Sequence, residues 1–435
     1  MAVIVWVLLL ACGGPQPTVV VVGGGPAGLS AAIEATAGAR VILLEARGEL
    51  GGSASLGDAV TAIPTPAVTA RLDAAGTNPA RTRFINRVRP DVIDWTTAFK
   101  VRWHPLENHA GDGCEVQAPH GGGVALVGAL IVEAQRRGVD VRLSTRVLSV
   151  DRSTPLRVRI RGGEPITADA VILATGGFAG NLARVREKLD LGDVPLLRGA
   201  ASFADGNGID LATSLGGTEV LPAQVLMYGH GVPAPEDDTR ALMLVDGPHA
   251  FTLGADGTYL PQLQSPRGDS GLALQAHGGR GWAVMDGMVL ENMTLWDADQ
   301  RRFRPAEPVA KKLKLTSGRL ADLAAVMNVP YDLVAAGLGA TRAHDDPTHP
   351  LMEAGRYAAL PLRITTAKTL TGVRVDLDGH VVDATGKIVP GVYAAGELAG
   401  FAHPWEREHL DSTMVSGAVL TGRAAGVAVA RDLGG

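Results

Sequence analysis

The hydrophobic pattern near the N-terminus predicts a strand, a helix and a second strand in close succession. Residues 18–22 form a β-branched apolar run, which is typical of a strand buried in a parallel sheet. Residues 29–37 predict an alanine-rich helix that ends at Gly38, and residues 41–44 predict another buried strand. This order indicates one β–α–β unit, which favours an α/β fold.

The hydrophobic pattern predicts further helices and strands along much of the chain, and the residue composition changes once. It predicts helices over 87–99, 124–137, 208–215 and 416–432, and strands over 139–143, 147–150, 170–174 and 389–394. Residues 58–79 are rich in Ala, Thr and Pro, and we expect them to be irregular. Between 221 and 360, Pro, Asp-Gly and Gly-Gly turns become frequent and buried strands rare, which indicates an inserted second domain.

Composition narrows the class of protein. The 435 residues carry a net charge of −5 without a basic run, so a nucleic-acid partner is not expected. The two cysteines, Cys12 and Cys114, do not make a disulfide framework. The chain contains neither a Cys-x-x-Cys pair nor His-Glu-x-x-His, so we predict no metal site, and the missing Cys-x-x-Cys-His excludes an attached c-type haem.

The first residues resemble a bacterial lipoprotein signal. An apolar run over 2–11 is too short to span a bilayer and ends at Leu9-Leu10-Ala11-Cys12, which resembles a lipobox. No Lys or Arg precedes the run, so an N-terminal extension before the first strand is the alternative. We therefore expect residues 1–17 to be a signal and linker. Lipidation of Cys12 would place the protein at the cell envelope, anchored or on the periplasmic side; a cytoplasmic location is the alternative.

A glycine motif after the first strand predicts a dinucleotide site. In Gly23-x-Gly25-Pro26-Ala27-Gly28, the first glycine allows the tight turn, the second admits the pyrophosphate, and the third lets helix and strand pack closely. The phosphates would lie at the helix N-terminus. Glu45 follows 17 residues after Gly28, where its carboxylate can accept hydrogen bonds from ribose hydroxyls.

Five ordered segments resemble the FAD-dependent fumarate reductase and succinate dehydrogenase flavoprotein family, which also includes ketosteroid and tricarballylate dehydrogenases. They are Glu45-Ala46 to Gly52-Ser53-Ala54, the helix from Gly121 to Leu130, Ala174-Thr175-Gly176 to Asn181, Gly206-Asn207-Gly208, and Pro390 to Gly396-Glu397. The resemblance implies a Rossmann-like FAD-binding domain of the glutathione-reductase type, split into 18–220 and 361–435 by an α+β cap domain over 221–360.

The resemblance also implies the cofactor and its contacts. It assigns FAD to Gly23, Gly25, Pro26, Ala27, Gly28, Glu45, Ala46, Gly52, Ser53, Ala54, Val147, Ala174, Thr175, Gly176, Gly396, Glu397, Ser412, Thr413 and Met414. Glu397 resembles the ligand of the flavin ribityl chain, and the helix from 416 would direct its N-terminus at the flavin ring. Covalent members attach flavin to a His after the Gly-Gly-Ser segment; no His lies between 53 and 70, so we expect non-covalent FAD.

The catalytic positions depart from the family. Tyr259 stands where the proton-delivering Arg is usual, Lys368 at a substrate His, and His409 at a second Arg, with Arg407 beside it. The dicarboxylate clamp of fumarate reductases is therefore not reproduced. Lys368 or His409 could bind a substrate oxygen, and Tyr259 could donate a proton. The alternatives are packing for Tyr259, a solvated strand position for Lys368, and a surface ion-paired loop for Arg407 and His409.

The favoured function is a flavin-dependent oxidoreductase acting on an activated C–C bond next to a carbonyl or carboxylate. It would take a small-molecule substrate and exchange electrons with a separate donor or acceptor. The alternative is a flavin-binding module without catalysis, anchored at the surface. A pyridine-nucleotide enzyme would need a second Gly-x-Gly-x-x-Gly motif, and the sequence has none.

Overall fold

The computed structural model describes residues 16–74, 82, 84–106, 113–244, 250–264, 269–297, 302–313, 315–344, 356–400 and 412–434. Cys12 and two candidate catalytic residues, Arg407 and His409, lie outside the described residues.

The part of the chain before residue 220 contains the predicted β–α–β unit and a set of short strands. Its strands are β1 (Thr18–Val22), β2 (Arg40–Leu44), β3 (Thr61–Ile63), β4 (Trp103–Pro105), β5 (Glu115–Pro119), β6 (Asp140–Arg142), β7 (Val147–Asp151), β8 (Leu156–Ile160), β9 (Ile166–Ala168), β10 (Ala170–Leu173) and β11 (Leu196–Arg198). Its helices are α1 (Pro26–Ala35), α2 (Pro66–Ala74), α3 (Trp95–Thr97), α4 (Gly122–Arg136), α5 (Leu182–Leu189) and α6 (Asn207–Ser214). Residues Gly52–Leu56 form a 3-10 helix and Arg89–Asp94 a π-helix.

The remaining elements complete a second sheet and return the chain to the first. The strands are β12 (Val225–Ala234), β13 (Asp237–Leu244), β14 (Ala250–Gly254), β15 (Arg280–Asp286), β16 (Thr294–Asp297), β17 (Arg302–Pro305), β18 (Thr316–Ser317), β19 (Tyr357–Thr369), β20 (His380–Val382) and β21 (Ile388–Ala394). The helices are α7 (Asp269–Gln275), α8 (Gly287–Asn292), α9 (Ala306–Lys312), α10 (Leu320–Met327), α11 (Tyr331–His344) and α12 (Met414–Gly434). Two 3-10 helices cover Pro261–Gln264 and Gly396–Ala399.

A six-stranded sheet forms the centre of the nucleotide-binding unit. Its strand order is β20-β21-β10-β1-β2-β6, and all neighbouring pairs are parallel except β20 with β21. The two faces of β1 pack on different partners: Val19 and Val21 face α1, α4 and α12, whereas Val20 and Val22 face the three-stranded β7-β8-β9 sheet and α6. Burial on both faces explains why the strand is continuously β-branched. The fold is of the α/β class that the sequence predicts.

The cap is built on a nine-stranded sheet. Its principal order is β14-β15-β19-β11-β13-β16-β17, with β12 paired to β13 and β19, and β18 to β19. The expectation that buried strands are rare between 221 and 360 is wrong, because β14 is wholly buried and β12 almost so. Two strands of this sheet, β11 and much of β19, fall outside that range. The predicted domain boundaries at 220 and 360 stay a prediction.

Two local expectations need correction. The described part of this stretch, residues 58–74, is not wholly irregular: it contains β3 and α2, and α2 forms because Val68 and Leu72, one helical turn apart, bury one face. The helix predicted over 87–99 is present, but its first part is π-helical. There the Asp91 carbonyl accepts a hydrogen bond from the Arg423 Nη1 atom of α12 at 3.1 Å.

In the described part of the chain, no single helix is long and apolar enough to cross a membrane. One pair of helices, separated by a 116° bend, passes the same test of length and composition.

Candidate active site

A cavity of about 500 Å³ lies at the carboxyl ends of the parallel strands. Its wall is made by residues that directly follow β1, β2, β10 and β21. This is the edge at which open α/β sheets bind ligands. The predicted cofactor residues line the cavity, with the exception of Gly28 and Thr413. Their assignment to FAD contacts remains a prediction from the resemblance.

At one of the three glycines of the motif, the space that a side chain would fill is not occupied by other protein atoms. Gly23 has φ +109, and a Cβ there would overlap the Ala174 carbonyl oxygen. A Cβ at Gly28 would overlap the Gly23 carbonyl oxygen, so the protein itself requires both glycines. At Gly25 the nearest atom to a Cβ would be the Gly52 Cα at 3.9 Å. The space beside Gly25 therefore fits a group carried by a ligand, at the N-terminus of α1 where a pyrophosphate is favoured.

Glu45 is fixed at the end of β2 by the backbone. It is 8% exposed; its Oε2 accepts from the Gly24 N–H at 2.7 Å and its Oε1 from the Arg47 N–H at 2.8 Å. Each carboxylate oxygen keeps a further lone pair. Glu45 thus has the location and the acceptor capacity that ribose hydroxyls need.

The other end of the cavity is formed by Glu397 and the start of α12, and we call it the flavin end. The Glu397 Oε1 accepts from the Thr369 N–H at 2.6 Å. Burial raises the pKa of Glu397, while the Thr369 hydrogen bonds and the Lys368 ammonium oppose that rise. Met414 of α12 also lines this end, so the helix directs its free N–H groups and positive dipole end at the cavity.

Ser412 holds a strained backbone at the flavin end. Its φ is +64, a left-handed conformation that is uncommon for residues other than Gly, and it lines the cavity. Its carbonyl accepts from the Ala62 N–H at 2.8 Å, which ties this segment to β3. Strain of about 1–3 kcal/mol of this kind is typical of ligand sites. The sequence carried no signal of this strain.

Among the candidate catalytic residues, Lys368 lies at the cavity. It belongs to β19, is half-buried, and lines the wall together with Ala367. Trp296 of β16 is the single described residue between 208 and 366 that lines the cavity, so it is the cap's contribution to the wall. Its indole packs on Phe303 at 5.0 Å between ring centroids.

Tyr259 is not brought to the cavity. It follows the Asp256–Gly257 turn after β14, forms a β-bridge back to Leu253, and its ring packs against the cap cluster that contains Phe251. The packing alternative therefore describes Tyr259 better than proton donation. Arg407 and His409 fall in the segment that the structure does not describe.

Several wall residues were missed by sequence reasoning. At the end opposite Glu397, Arg47 stacks its guanidinium over Phe203 at 4.1 Å from the ring centroid, and Arg146 pairs with Asp205 at 2.9 Å. We call this part of the wall the adenosine end, because it adjoins Glu45. Arg47 stands two residues after Glu45, but only the fold brings Phe203 to it. Trp296 likewise had no sequence signal.

Comparisons with known proteins support a FAD-binding role for the cavity. The family model described as FAD binding domain matches residues 18–409. A fumarate reductase (cytochrome) of Shewanella frigidimarina is 29% identical over 95% of this chain and 77% of its own length. A KsdD-like steroid dehydrogenase of Mycobacterium tuberculosis is 27% identical over 65% of this chain and 62% of its own.

A solved structure has the same fold. The 3-ketosteroid Δ1-dehydrogenase of Sterolibacterium denitrificans, in complex with 1,4-androstadiene-3,17-dione, superposes with a TM-score of 0.77 at 16% identity, over 96% of this chain and all of that one. The family model, the relatives and the dinucleotide cavity agree. The chain belongs to the FAD-binding domain family that includes the fumarate reductases and KsdD-like steroid dehydrogenases, and it is a FAD-dependent oxidoreductase.

Proposed function

We propose that the protein transfers a hydride to or from a carbon–carbon bond next to a carbonyl or carboxylate group. Bound FAD supplies the hydride chemistry, and the chain supplies binding, orientation and charge. The observation that carries the proposal is that Lys368 lines the flavin end of the cavity, beside Glu397. The two relatives named above are a fumarate reductase and a KsdD-like steroid dehydrogenase, and fumarate has a carbon–carbon double bond next to a carboxylate.

Lys368 would act on the substrate oxygen. When a hydride adds to the carbon β to a carbonyl, negative charge develops on the carbonyl oxygen. An ammonium group held beside that oxygen stabilises the charge, and it does so more strongly in a site that excludes water. Trp296 would exclude water from the cap side of the cavity. One ammonium suits one oxygen function, which fits an enone or a simple enoate better than a dicarboxylate clamped at both ends.

The experiment is anaerobic reoxidation of the dithionite-reduced protein by three substrate classes: enones, enoates and 3-ketosteroids. We expect one class to reoxidise the flavin, and Lys368→Met to slow that reaction about a hundredfold, as for removal of one electrostatic contact to a developing charge. Arg142→Gln, at a cationic residue that does not line the cavity, is the matched control. If no class reoxidised the protein, or if Lys368→Met matched wild type, the proposal would fail.

The electron partner would be a separate protein or a free reductant. The relatives include a cytochrome-type fumarate reductase, and this sequence has no haem-attachment motif. The test is whether an added donor protein or small-molecule reductant reduces the bound flavin when dithionite is left out. Failure of every added donor, whether a protein or a small-molecule reductant, to reduce the bound flavin would contradict this part of the proposal.

We also propose that Cys12 is lipidated and anchors the protein at the cell envelope. The support is the apolar run that ends in Leu9-Leu10-Ala11-Cys12. Metabolic labelling with palmitate and membrane fractionation test it. Cys12→Ser should lose the label and release the protein, whereas Cys114→Ser, at the other cysteine, should change neither. A membrane-bound, unlabelled Cys12→Ser variant would refute the anchor.

A further inference from the structure

The adenosine end of the cavity contains an arginine whose hydrogen-bonding capacity is not used within the chain. The Arg47 Nη1 atom is buried and has no hydrogen-bond partner among the described residues. A buried donor without an acceptor is costly, and native proteins rarely leave one unsatisfied. Arg47 lines the cavity, so an acceptor carried by a ligand is the natural partner.

Arg47 is held rigidly in this position. Its Nη2 atom pairs with the Glu49 carboxylate, its N–H donates to Glu45, and its carbonyl accepts from the Ser144 N–H at 2.8 Å. The guanidinium lies over the Phe203 ring, and both residues border the cavity. Because the Glu49 carboxylate and the Phe203 ring already hold the guanidinium, less rotamer entropy remains to be lost when a ligand binds.

The position of Arg47 identifies the half of the dinucleotide that it meets. It lies two residues beyond Glu45, the predicted ribose carboxylate, at the end of β2. In the strand order β21-β10-β1-β2, the Gly23–Gly28 loop at the end of β1 lies between Arg47 and Glu397, which follows β21. A dinucleotide whose pyrophosphate rests on that loop places its adenosine here and its flavin at the other end.

We propose that Arg47, stacked on Phe203, binds the adenosine half of FAD and makes the site selective for the dinucleotide. The planar guanidinium offers donors to the ring nitrogens of adenine and the oxygens of ribose. A second cation in the wall, Arg146, is paired with Asp205 at 2.9 Å, whereas the buried Arg47 Nη1 atom has no acceptor among the described residues.

The test compares binding of FAD and of ADP, which carries the adenosine half alone, to the cofactor-free protein by fluorescence titration and calorimetry. Arg47→Gln should weaken FAD and ADP by the same factor, about tenfold or more, as expected for a charge-assisted hydrogen bond. Arg47→Lys keeps the charge but loses the planar fork, and should lie between wild type and Arg47→Gln. Phe203→Leu should weaken both ligands because it removes the support of the guanidinium.

Arg142→Gln is the matched control, since Arg142 also pairs with an acidic residue, Asp140 at 2.7 Å, but does not line the cavity. It should leave both affinities within twofold of wild type. Thermal unfolding of each cofactor-free variant identifies any that fails to fold, in which case Arg47→Lys decides. The proposal is overturned if Arg47 variants bind ADP like wild type, or lose FAD affinity while retaining ADP affinity.

Discussion

Replacing Gly25 with Ala should separate cofactor binding from folding. The backbone of Gly25 has φ −78 and ψ −179, which an alanine adopts without strain. Outside its two chain neighbours, the nearest described protein atom to the added methyl would be the Gly52 Cα at 3.9 Å. In the cofactor-free protein, the free energy of unfolding should therefore stay constant or rise by about 0.4–1 kcal/mol, through the less flexible unfolded chain.

The same methyl should obstruct the cofactor. It would occupy the space beside the helix N-terminus in which the pyrophosphate is expected, and overfilling a close contact costs about 1–3 kcal/mol. That range corresponds to about a 5- to 150-fold rise in the Kd for FAD. The assay is quenching of flavin fluorescence on titration of the cofactor-free protein, with thermal unfolding measured on the same samples.

Gly128→Ala is the matched control, since Gly128 lies within α4, away from the cavity wall, and its Cβ would have no neighbour within 4 Å. It should leave FAD binding unchanged. If Gly25→Ala bound FAD as tightly as wild type, the assignment of the pyrophosphate to this space would be wrong. If both variants lost affinity equally, the effect would not be local.

Three further outcomes are expected. Burial lowers the pKa of His380, but hydrogen bonds to Asp432 at 2.8 Å and Asp376 at 2.7 Å outweigh it and raise the pKa above 6.5. The resulting stabilisation is complete below pH about 6.5 and is lost as the pH rises through the folded-state pKa. In urea unfolding, the difference in the free energy of unfolding between wild type and His380→Gln should therefore shrink from pH 6 to 9. Asp297→Asn should destabilise the protein by about 3 kcal/mol in thermal unfolding, because it removes the buried negative charge that pairs with Arg240 at 2.6 Å. A loss below about 1 kcal/mol would mean that the Glu236 carboxylate suffices for Arg240. Acid precipitation should release all of the flavin into the supernatant, and flavin retained in the pellet would show a covalent link.

The sequence predicted the residues of the site that belong to a short motif, in which the local backbone conformation itself requires particular residue types. Gly28 is needed because of the Gly23 carbonyl within the same β–α–β unit, and Gly23 has the positive φ of the tight turn after β1, so their spacing was visible without the fold. The additional contact of Gly23 with the Ala174 carbonyl at the end of β10 was not visible in the sequence. Lys368 and Glu397 were found through resemblance, and the structure brings both to one cavity. The buried strands of the first sheet were visible because burial on both faces leaves a continuous apolar run.

Other wall residues could not be predicted because they depend on long-range packing. Phe203 meets Arg47 across more than 150 positions of sequence, and Trp296 reaches the cavity only through the pairing of β16 with β13. The strands of the cap were missed because they are separated by many Gly and Pro turns. The choice between proton donation and packing for Tyr259 could not be made from the sequence, because its alignment to an arginine does not say on which side of the turn after β14 the ring lies.

The most direct test of the account is a reductive titration of the purified protein, followed by its absorbance under anaerobic conditions. The account predicts a flavin spectrum with one FAD per chain, fully bleached by two electrons per chain and restored by a substrate that contains an activated double bond. A colourless protein that cannot be reconstituted with FAD would contradict it.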